Sequence, residues 1–560
     1  MSLKVHGQKA NFNRIINGSR IRKESNQFDL SGEIYRFENC YLPPIKMSNF
    51  EKLSQEKLQN VIQELKILKE KDPDIRVNFK EFLNSKGYSS FLENLDFNVI
   101  DFTTKIYDGG NGIGVTPFHP TKLLCNIDFS GITLKNCNFK YTNLKGSKFN
   151  NVQFINSDLS YSVLKNCVFE KVTFNKCILK DAICNSSHFI NLVVANSDLE
   201  YATFHHAIFD RSFFQNSSLN SVSFFKAKVE KSKIEKCQIE DTLFFSCNES
   251  FGIKNVIEIT KPIIGFIWNS ETPGYTGTKQ YLFLRNNGAL IFKLDACGTV
   301  DDDKLSEEVE KKIQLAKKGP LSIPQMFFDK ATFDSKDTEF NSLCTMVKEV
   351  SSFLDGVVLP GGEDVHPEFF GGQIDENTHP ESSYYRDLLE FSLIHESRNR
   401  GIPFQGICKG LQIANIYFGG NNYSKVYDQK KVVQILTPKN GSYGSLAGII
   451  KDKIKSFSNH SQACNKIGKD LEMIITKEVD SPNGKIIIPK AMEIKYSQAA
   501  MFILTQFHPE LTTDMYSDKE KLKYPEFTST SHENIKICEV IIDAARQYKR
   551  KKILNKNLQK

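Results

Sequence analysis

Apolar side chains recur at every fifth residue along the middle of the chain. From Leu124 to Phe244, 25 consecutive positions at this spacing carry no polar side chain, and 12 of them are Phe. The residue two positions earlier is usually small, as at Ser147 and Ala182. Neither a helix nor an ordinary strand has a period of five, whereas a coil with four equal faces does. The pattern therefore predicts a solenoid over 121–250 in which each face turns one large and one small side chain inward.

This spacing resembles that of the pentapeptide-repeat family over 121–248. The resemblance implies a right-handed quadrilateral β-helix whose coils stack about 4.8 Å apart. Some cysteines occupy small inward positions, where a free thiol packs as a small apolar group and no redox or metal role is expected. They are Cys137, Cys167, Cys177 and Cys237. The adjacent His205 and His206 are poorly spaced as ligands and are expected on the outer surface.

The net charge of +7 changes this picture little. Seven Lys and Arg residues in the last fifteen positions equal the whole excess, and a basic tail is predicted over 549–560. Within 121–250 there are 15 Lys and Arg against 12 Asp and Glu. Pentapeptide proteins that mimic DNA use a strongly acidic rod, so we expect no DNA mimicry and no nucleic-acid partner.

The open ends of a stacked solenoid must be covered. Residues 1–120 are predicted to form a small, partly helical region on the N-terminal side. Ser48 and Glu51 have capping-box spacing ahead of an apolar helical stripe, and a second short helix is expected near Phe79–Leu92.

No apolar run approaches the roughly 20 residues of a membrane-spanning helix, and the N-terminus lacks the apolar core of a secretory signal. Thirteen cysteines without a CxxC pair indicate reduced thiols. We therefore expect a cytoplasmic location and no transmembrane segment. The joining of a repeat rod to the C-terminal domain described below also raises the hypothesis of a bacterial effector exported into a host cell.

After Phe244 the five-residue period stops, and from Lys261 apolar strands alternate with helical segments. This alternation predicts an α/β domain over 258–548 with a parallel sheet and helices on both faces.

Residues 406–410 read Gly-Ile-Cys-Lys-Gly between a short apolar strand and a helical segment. A Cys flanked by glycines at such a junction has the layout of a nucleophile elbow, with its sulfur at a helix start that favours the thiolate. A buried structural Cys is the alternative. His508 and Glu510 follow another apolar strand, and alternation would send both to one side, as a base and its orienting carboxylate require. Gly361 and Gly362 end a third strand, where backbone N–H groups could face an oxyanion together with that of Lys409.

Together these segments resemble the class I glutamine amidotransferases, and most closely their γ-glutamyl hydrolase branch, peptidase C26. The resemblance implies a flavodoxin-like domain in which Cys408 is the nucleophile, His508 the general base and Glu510 its orienter. Gly361 or Gly362 would share the oxyanion hole with Lys409. The residues assigned to substrate binding are His460, Glu363 and Gln412.

The implied activity is cysteine-dependent hydrolysis of γ-glutamyl amide bonds in a small substrate, with a protein partner on the solenoid. Hydrolysis is favoured over amide transfer because no GxxxxGK[ST] loop occurs. No cofactor and no metal are expected. Two alternatives stay open: an interaction scaffold with a catalytically idle domain, and a glutaminase supplying ammonia to a separate partner.

Overall fold

The computed structural model describes residues 51–72, 75–97, 124–248, 251–253, 259–269, 275–296, 302–316, 327–328, 337–372, 384–423, 425–430, 432–439, 441, 444–482, 484–495, 501–512 and 532–558. Phe50–Lys560 forms one compact unit. Ser48 and most of the predicted N-terminal region therefore lie outside the described residues. In the described part, no helix is long and apolar enough to cross a membrane.

Two short helices precede the solenoid. They are α1 (Gln55–Lys71) and α2 (Phe79–Ser85), with β1 (Val77–Asn78) before α2 and β2 (Phe91–Glu93) after it. Helix α1 begins later than the predicted capping box, because Ser54 is the residue whose side chain accepts the N–H of Lys57 at 3.3 Å. The apolar faces of both helices join the core of the first solenoid coils, and β1 and β2 pair with solenoid strands. This part of the chain thus covers the N-terminal end of the solenoid.

The solenoid is a β-helix with coils of 20 residues, as the pairing of Phe149 with Phe169 shows. Its strands are β3 (Ile127–Asp128), β4 (Thr133–Lys135), β5 (Lys148–Asn150), β6 (Gln153–Ile155), β7 (Val168–Glu170), β8 (Thr173–Asn175), β9 (His188–Ile190), β10 (Val193–Ala195), β11 (Ile208–Asp210), β12 (Phe213–Gln215), β13 (Lys228–Glu230) and β14 (Lys233–Glu235). They form two parallel seven-stranded sheets that include β1 and β2. Two ladders of single bridges complete the four faces.

The five-residue period corresponds to one face and one corner of the coil. Inward Phe rings stack along the axis, with 4.8 Å between the ring centres of Phe169 and Phe189. Two residues after each inward side chain the backbone turns through positive φ, for example at Asn136 (52°) and Asn156 (50°). Asn tolerates this left-handed conformation better than most residues, which explains its recurrence at the corners. The small inward residues bond to the backbone, as when the Ser187 hydroxyl donates to Leu164 O at 2.6 Å.

The C-terminal part is built on a third seven-stranded sheet. Its elements in chain order are β15 (Ile263–Trp268), α3 (Tyr275–Asn286), β16 (Leu290–Asp295), α4 (Asp302–Ala316), α5 (Thr338–Ser351), β17 (Gly356–Leu359), α6 (Tyr384–Arg400), β18 (Phe404–Ile407), α7 (Lys409–Tyr417), β19 (Asn422–Tyr423), β20 (Val432–Leu436), α8 (Ser445–Ile449), β21 (Ile454–Ser458), β22 (Ala463–Cys464), β23 (Leu471–Ser481), β24 (Gly484–Ile494), β25 (Phe502–Thr505) and α9 (His532–Leu558). Short 3₁₀ turns cover Pro367–Phe370 and Pro509–Thr512.

The strand order of this sheet is β16-β15-β17-β18-β25-β24-β23. Its first five strands are parallel to one another, as expected. Strand β24 runs antiparallel to both of its neighbours, β25 and β23. The sheet is therefore mixed rather than parallel, because β23 and β24 follow one another through a tight turn that can join only antiparallel neighbours. Side chains of α5, α6 and α7 pack on one face, and those of α3 and α9 on the other. The flavodoxin-like assignment stays a prediction.

The solenoid lies against edge strand β16. We call the covered surface the docking face. It consists of outward side chains that are buried although they point away from the coil axis: Val163, Lys165, Ile183, Asn185, Thr203, His205, Ser223, Phe225 and Leu243. His205 stacks on Phe292 of β16 with 4.7 Å between ring centres, and its Nε2 lies 2.9 Å from the Ser223 hydroxyl. The expectation that His205 lies on the outer surface is wrong, because a second domain covers this face; His206 is exposed.

A buried charge cluster joins the two parts. The Asp181 carboxylate on the solenoid binds Arg285 Nη1 at 2.7 Å and Lys293 Nζ at 2.9 Å, and it also accepts the hydroxyl of Tyr281. Lys293 lies on β16, and the other two partners lie on α3. Burial lowers the pKa of Lys293, although Asp181 opposes the shift. The carboxylate thus compensates two cations that have been removed from water.

The basic tail is the last part of a long helix rather than a separate segment. Helix α9 continues to Leu558. Lys549 Nζ donates to Ile259 O at 2.6 Å, and Lys552 Nζ lies 2.9 Å from Asp355 Oδ1. Part of the positive charge therefore holds α9 against the sheet.

We predict that Phe174→Asp abolishes soluble folding of the solenoid. Phe174 is 2 % exposed and packs between coils, so the variant buries a carboxylate without a partner, at a cost of several kcal/mol. Lys176→Asp is the matched control, since Lys176 is exposed at a corner. Soluble yield and melting temperature measure both. Equal stability of the two variants would contradict the inward register.

We call the contact between the solenoid and the C-terminal part the joint. We predict that Asp181→Ala lowers the free energy of unfolding by about 3–5 kcal/mol, because it leaves Arg285 and Lys293 at the joint as buried charges without this partner. The single Trp, Trp268, has its ring centre 5.2 Å from that of Tyr281 and reports unfolding by fluorescence. Asp198→Ala removes a half-exposed partner of Lys180 and should change stability by less than about 1 kcal/mol. A similar small effect at both positions would show that the cluster does not hold the joint.

Candidate active site

Cys408 occupies a strained backbone conformation between β18 and α7, with φ 53° and ψ −102°. Its N–H donates to Thr505 O at 2.7 Å. The flanking glycines are required by close packing: a Cβ at Gly406 would lie 2.5 Å from Gly410 O, and a Cβ at Gly410 would lie 2.4 Å from Leu359 O. Such strain persists only where the surroundings enforce it, and it is typical of functional positions. The turn therefore has the geometry that the sequence predicts for a nucleophile elbow.

His508 and Glu510 lie beside this turn. The imidazole Nδ1 is 2.8 Å from Glu510 Oε1, and the imidazole interacts electrostatically with Cys408. The two residues follow β25, which ends at Thr505, and Glu510 belongs to a 3₁₀ turn. A turn therefore brings the two side chains together, whereas strand alternation was the predicted cause.

The electrostatics of the row formed by Cys408, His508 and Glu510 favour a charged imidazole on His508. Burial alone would lower the pKa of His508, but the Glu510 carboxylate and Cys408 outweigh it and raise the pKa to about 10. His508 is 3 % and Glu510 1 % exposed, so water screens the interaction little. The arrangement can therefore hold a proton on His508 at neutral pH.

Arg386 holds the loop that follows β17 in place. Its Nη2 donates to Gly361 O at 3.3 Å, and its Nη1 lies 2.6 Å from Glu363 Oε2. A Cβ at Gly362 would lie 2.2 Å from Arg386 Nη1, so a larger residue there would displace the guanidinium. Glu363 is thus engaged in holding the loop, and its assignment to substrate binding stays a prediction.

The Lys409 side chain points into a buried ionic cluster rather than toward the elbow. Its Nζ lies 2.7 Å from Asp387 Oδ1, and Glu390 in the same cluster binds Arg386 Nε at 2.8 Å. Burial raises the pKa of Glu390, although Lys409 and Arg386 oppose the shift. The backbone N–H of Lys409 opens α7, where the first N–H groups of a helix have no partner within it. The backbone is therefore the part of Lys409 that can face a ligand.

Both ring nitrogens of His460 are engaged within the protein. Nδ1 lies 2.8 Å from Gln462 O, which can only accept, so Nδ1 carries the proton. Nε2 then accepts from Lys490 Nζ at 2.9 Å. Burial lowers the pKa of His460 well below its usual value, with Lys490 adding to the shift, which agrees with a neutral ring.

Gln412 is buried behind Cys408, and its Nε2 donates to Gln462 O at 2.9 Å and to Gln506 Oε1 at 3.2 Å. This amide nitrogen donates to two internal acceptors, because α7 turns the side chain toward the protein interior. The assignment of Gln412 to substrate binding stays a prediction.

Sequence reasoning did not find Lys490. It is fully buried on β24, and its Nζ donates to Gln429 Oε1 at 2.6 Å and to Ser458 Oγ at 3.2 Å, besides His460. Burial lowers its pKa to about 7, with Lys477 lowering it further and Cys408 opposing. A lone Lys within the apolar strand IIIPKAMEI was the available signal.

Comparison with known protein families agrees with this architecture. The peptidase C26 family model matches residues 341–510, which include every residue of the site described above. The pentapeptide-repeat model matches residues 123–151 and 147–183. The chain joins pentapeptide repeats to a peptidase C26 domain.

The relatives of the C26 domain share about a quarter of its residues. A candidate glutamine amidotransferase of Schizosaccharomyces pombe is 28 % identical over 179 residues, which cover 30 % of this chain and 67 % of the relative. A γ-glutamyl-γ-aminobutyrate hydrolase of Escherichia coli O157:H7 is 26 % identical over 191 residues, which cover 31 % and 70 %. The C26 domain is thus of the glutamine amidotransferase-like, hydrolase type.

A solved structure resembles the solenoid part. The crystal structure of a pentapeptide-repeat protein from Cyanothece 51142 aligns with a TM-score of 0.19 and 16 % identity over 21 % of this chain and 90 % of that one.

Within the described ranges, no group of three or more His, Cys, Asp or Glu side chains could hold a metal ion.

We predict that Lys490 makes the stability of the C26 domain pH-dependent. Its pKa of about 7 in the folded protein lies below the value of 10.5 for an ordinary Lys. Between these values the unfolded chain binds the extra proton, so the contribution of Lys490 to stability rises with pH above 7. From pH 6 to pH 9 the wild type should gain about 3 kcal/mol relative to Lys490→Met, because about two pH units lie above the folded pKa at 1.36 kcal/mol per unit.

Urea unfolding followed by Trp268 fluorescence at both pH values measures this gain. Lys485→Met is the control on the same strand, since the Lys485 side chain is 71 % exposed, and its stability difference from wild type should not change with pH. A constant difference for Lys490→Met as well would show that Lys490 does not titrate in this range.

Proposed function

We propose that the C26 domain hydrolyses γ-glutamyl amide bonds with Cys408 as nucleophile, His508 as general acid and base, and Glu510 as its orienter. One observation carries the proposal: His508 has a carboxylate 2.8 Å from its Nδ1 and interacts electrostatically with a cysteine that lies in a strained turn at a helix start. A structural cysteine would require neither the strain nor a charged imidazole beside it.

The reaction begins from a thiolate and an imidazolium. The pKa of His508, raised to about 10, keeps its proton available at neutral pH. The thiolate attacks the γ-glutamyl carbonyl carbon, and the new C–S bond gives a tetrahedral intermediate. His508 then donates its proton to the amine nitrogen as the C–N bond breaks, which leaves a thioester. Water attacks the thioester, His508 takes the proton, and the C–S bond breaks to release glutamate.

The negative oxygen of the intermediate would lie between two backbone segments. The N-terminal turn of α7 presents the N–H of Lys409, and the loop at Gly361 and Gly362 follows β17 at close approach to this turn. Donors held in place before the reaction stabilise developing charge without reorganisation. Arg386 fixes the loop through its bond to Gly361 O.

The γ-glutamyl specificity is supported by the relatives of the domain, among them the E. coli γ-glutamyl-γ-aminobutyrate hydrolase. His460 would line the pocket with its ring edge, since its nitrogens are engaged. We further propose that the solenoid binds a protein partner through faces other than the docking face. Export into a host cell stays a hypothesis from the domain combination.

We predict that Cys408→Ser lowers glutamate release from γ-glutamyl-γ-aminobutyrate by at least about a thousandfold without changing the melting temperature, because the nucleophile is lost while its shape is kept. Glu510→Gln should be milder, since it misorients His508 but leaves the base. Enzyme-coupled detection of glutamate measures both. Cys464→Ser, at a buried Cys outside the row, is the control for loss of a thiol.

The outcomes separate the alternatives. No glutamate release by the wild type from any γ-glutamyl compound would favour the scaffold. Release from L-glutamine only after addition of a partner protein would favour the ammonia-supplying glutaminase.

A further inference from the structure

A buried glutamine touches the sulfur of Cys408. Gln506 follows β25 and is fully buried, and its Nε2 lies 3.6 Å from Cys408 Sγ. Its backbone N–H donates to Lys490 O at 2.9 Å, which ties this segment to β24. The neighbouring Thr505 accepts the N–H of Cys408. The side chain of Gln506 therefore approaches the nucleophile from the sheet.

The hydrogen-bond network decides which end of the Gln506 amide faces the sulfur. Gln462 O is a backbone carbonyl and can only accept, so the atom of Gln412 that meets it at 2.9 Å must be nitrogen. That same nitrogen lies 3.2 Å from the Gln506 amide and can only donate to it. The Gln506 oxygen must therefore face Gln412, which turns its N–H group toward Cys408.

A donor in this position distinguishes the charged sulfur from the neutral one. An N–H group bonds a thiolate more strongly than a thiol, so a fixed donor favours the charged form. The amide is neutral and does not titrate, so it stabilises the thiolate without competing with His508 for the proton. Both Gln506 and Gln412 are at most 1 % exposed, so water does not replace the bond.

We propose that Gln506 is a further catalytic residue, which donates a hydrogen bond to the Cys408 thiolate, and that Gln412 is the positioning residue that holds its amide in the donating orientation. The inference rests on the proposed function, because it assumes Cys408 as nucleophile. It adds a neutral thiolate-stabilising group to the row of Cys408, His508 and Glu510.

The test measures the pH midpoint of Cys408 alkylation by iodoacetamide, resolved by peptide mass spectrometry in the full chain. Gln506→Met keeps length and apolar bulk but removes the donor, and the midpoint should rise by about one pH unit. Gln506→Glu keeps the shape but places carboxylate oxygens toward the sulfur and should raise it further. Gln412→Met frees the Gln506 amide to rotate and should give a smaller rise.

Gln405→Met is the matched control. Gln405 is a fully buried glutamine on β18 whose side chain hydrogen-bonds Gln280 and Ile537 O rather than the sulfur. Its loss should lower the melting temperature without moving the midpoint. If Gln506→Met does not fold, Gln506→Glu and Gln412→Met provide the same comparison, with melting temperatures recorded alongside.

Unchanged midpoints in the Gln506 and Gln412 variants, within about 0.2 unit of wild type (about 1.6-fold in the ionisation constant), would overturn the inference, whether or not stability falls. This failure is distinguishable from failure of the proposed function. If only the inference fails, the wild type still releases glutamate and depends on Cys408 for it. If the proposed function fails, the wild type releases no glutamate, whatever its alkylation midpoint.

Discussion

The contact between the docking face and β16 is the interaction on which the rest of the molecule depends. An edge strand presents unpaired backbone groups, and proteins commonly protect such an edge by covering it. Here the solenoid covers it with aromatic stacking at Phe292 and with the ion pairs of Asp181. Buried ion pairs favour a single arrangement because a shifted register would leave charges unpaired. The joint therefore fixes one orientation of the solenoid on the C26 domain.

Helix α3 connects this joint to the active site. Tyr281 and Arg285 bind the solenoid from one side of the helix, whereas Gln280 donates to Gln405 on β18, the strand that leads into Cys408. The helix also contacts the 3₁₀ turn that carries Glu510. A single helix thus packs against the solenoid, the nucleophile strand and the orienting carboxylate, so the solenoid is part of the structural support of the site.

The site itself is arranged around compensated buried charges. Arg386 and Lys409 bind Glu363, Glu390 and Asp387 beneath the first turn of α7. This cluster draws the Lys409 side chain away from the sulfur, which leaves its backbone N–H at the elbow. On the opposite side, Lys490 places a cation among neutral acceptors next to His460. In a low-dielectric interior such groups act strongly on the side chains of Cys408 and His508.

The amino-acid sequence determined the features that repeat or that lie close together along the chain. The five-residue period was readable because each face of the coil repeats the same local requirement. The elbow at 406–410 could be predicted because the tight turn itself leaves no room for side chains at its two glycines. His508 and Glu510 could be predicted because they are two residues apart.

Tertiary structure alone decided which surfaces meet. His205 is buried because β16 covers one face of the solenoid, although its position in the repeat is an outward one. Lys490 and Gln506 reach the site from β24 and from the end of β25, and Gln412 turns inward because Gln462 and Gln506 lie beneath α7. The antiparallel hairpin of β23 and β24 likewise follows from how the chain closes the sheet. These arrangements depend on contacts between residues far apart in the chain, which no local periodicity records.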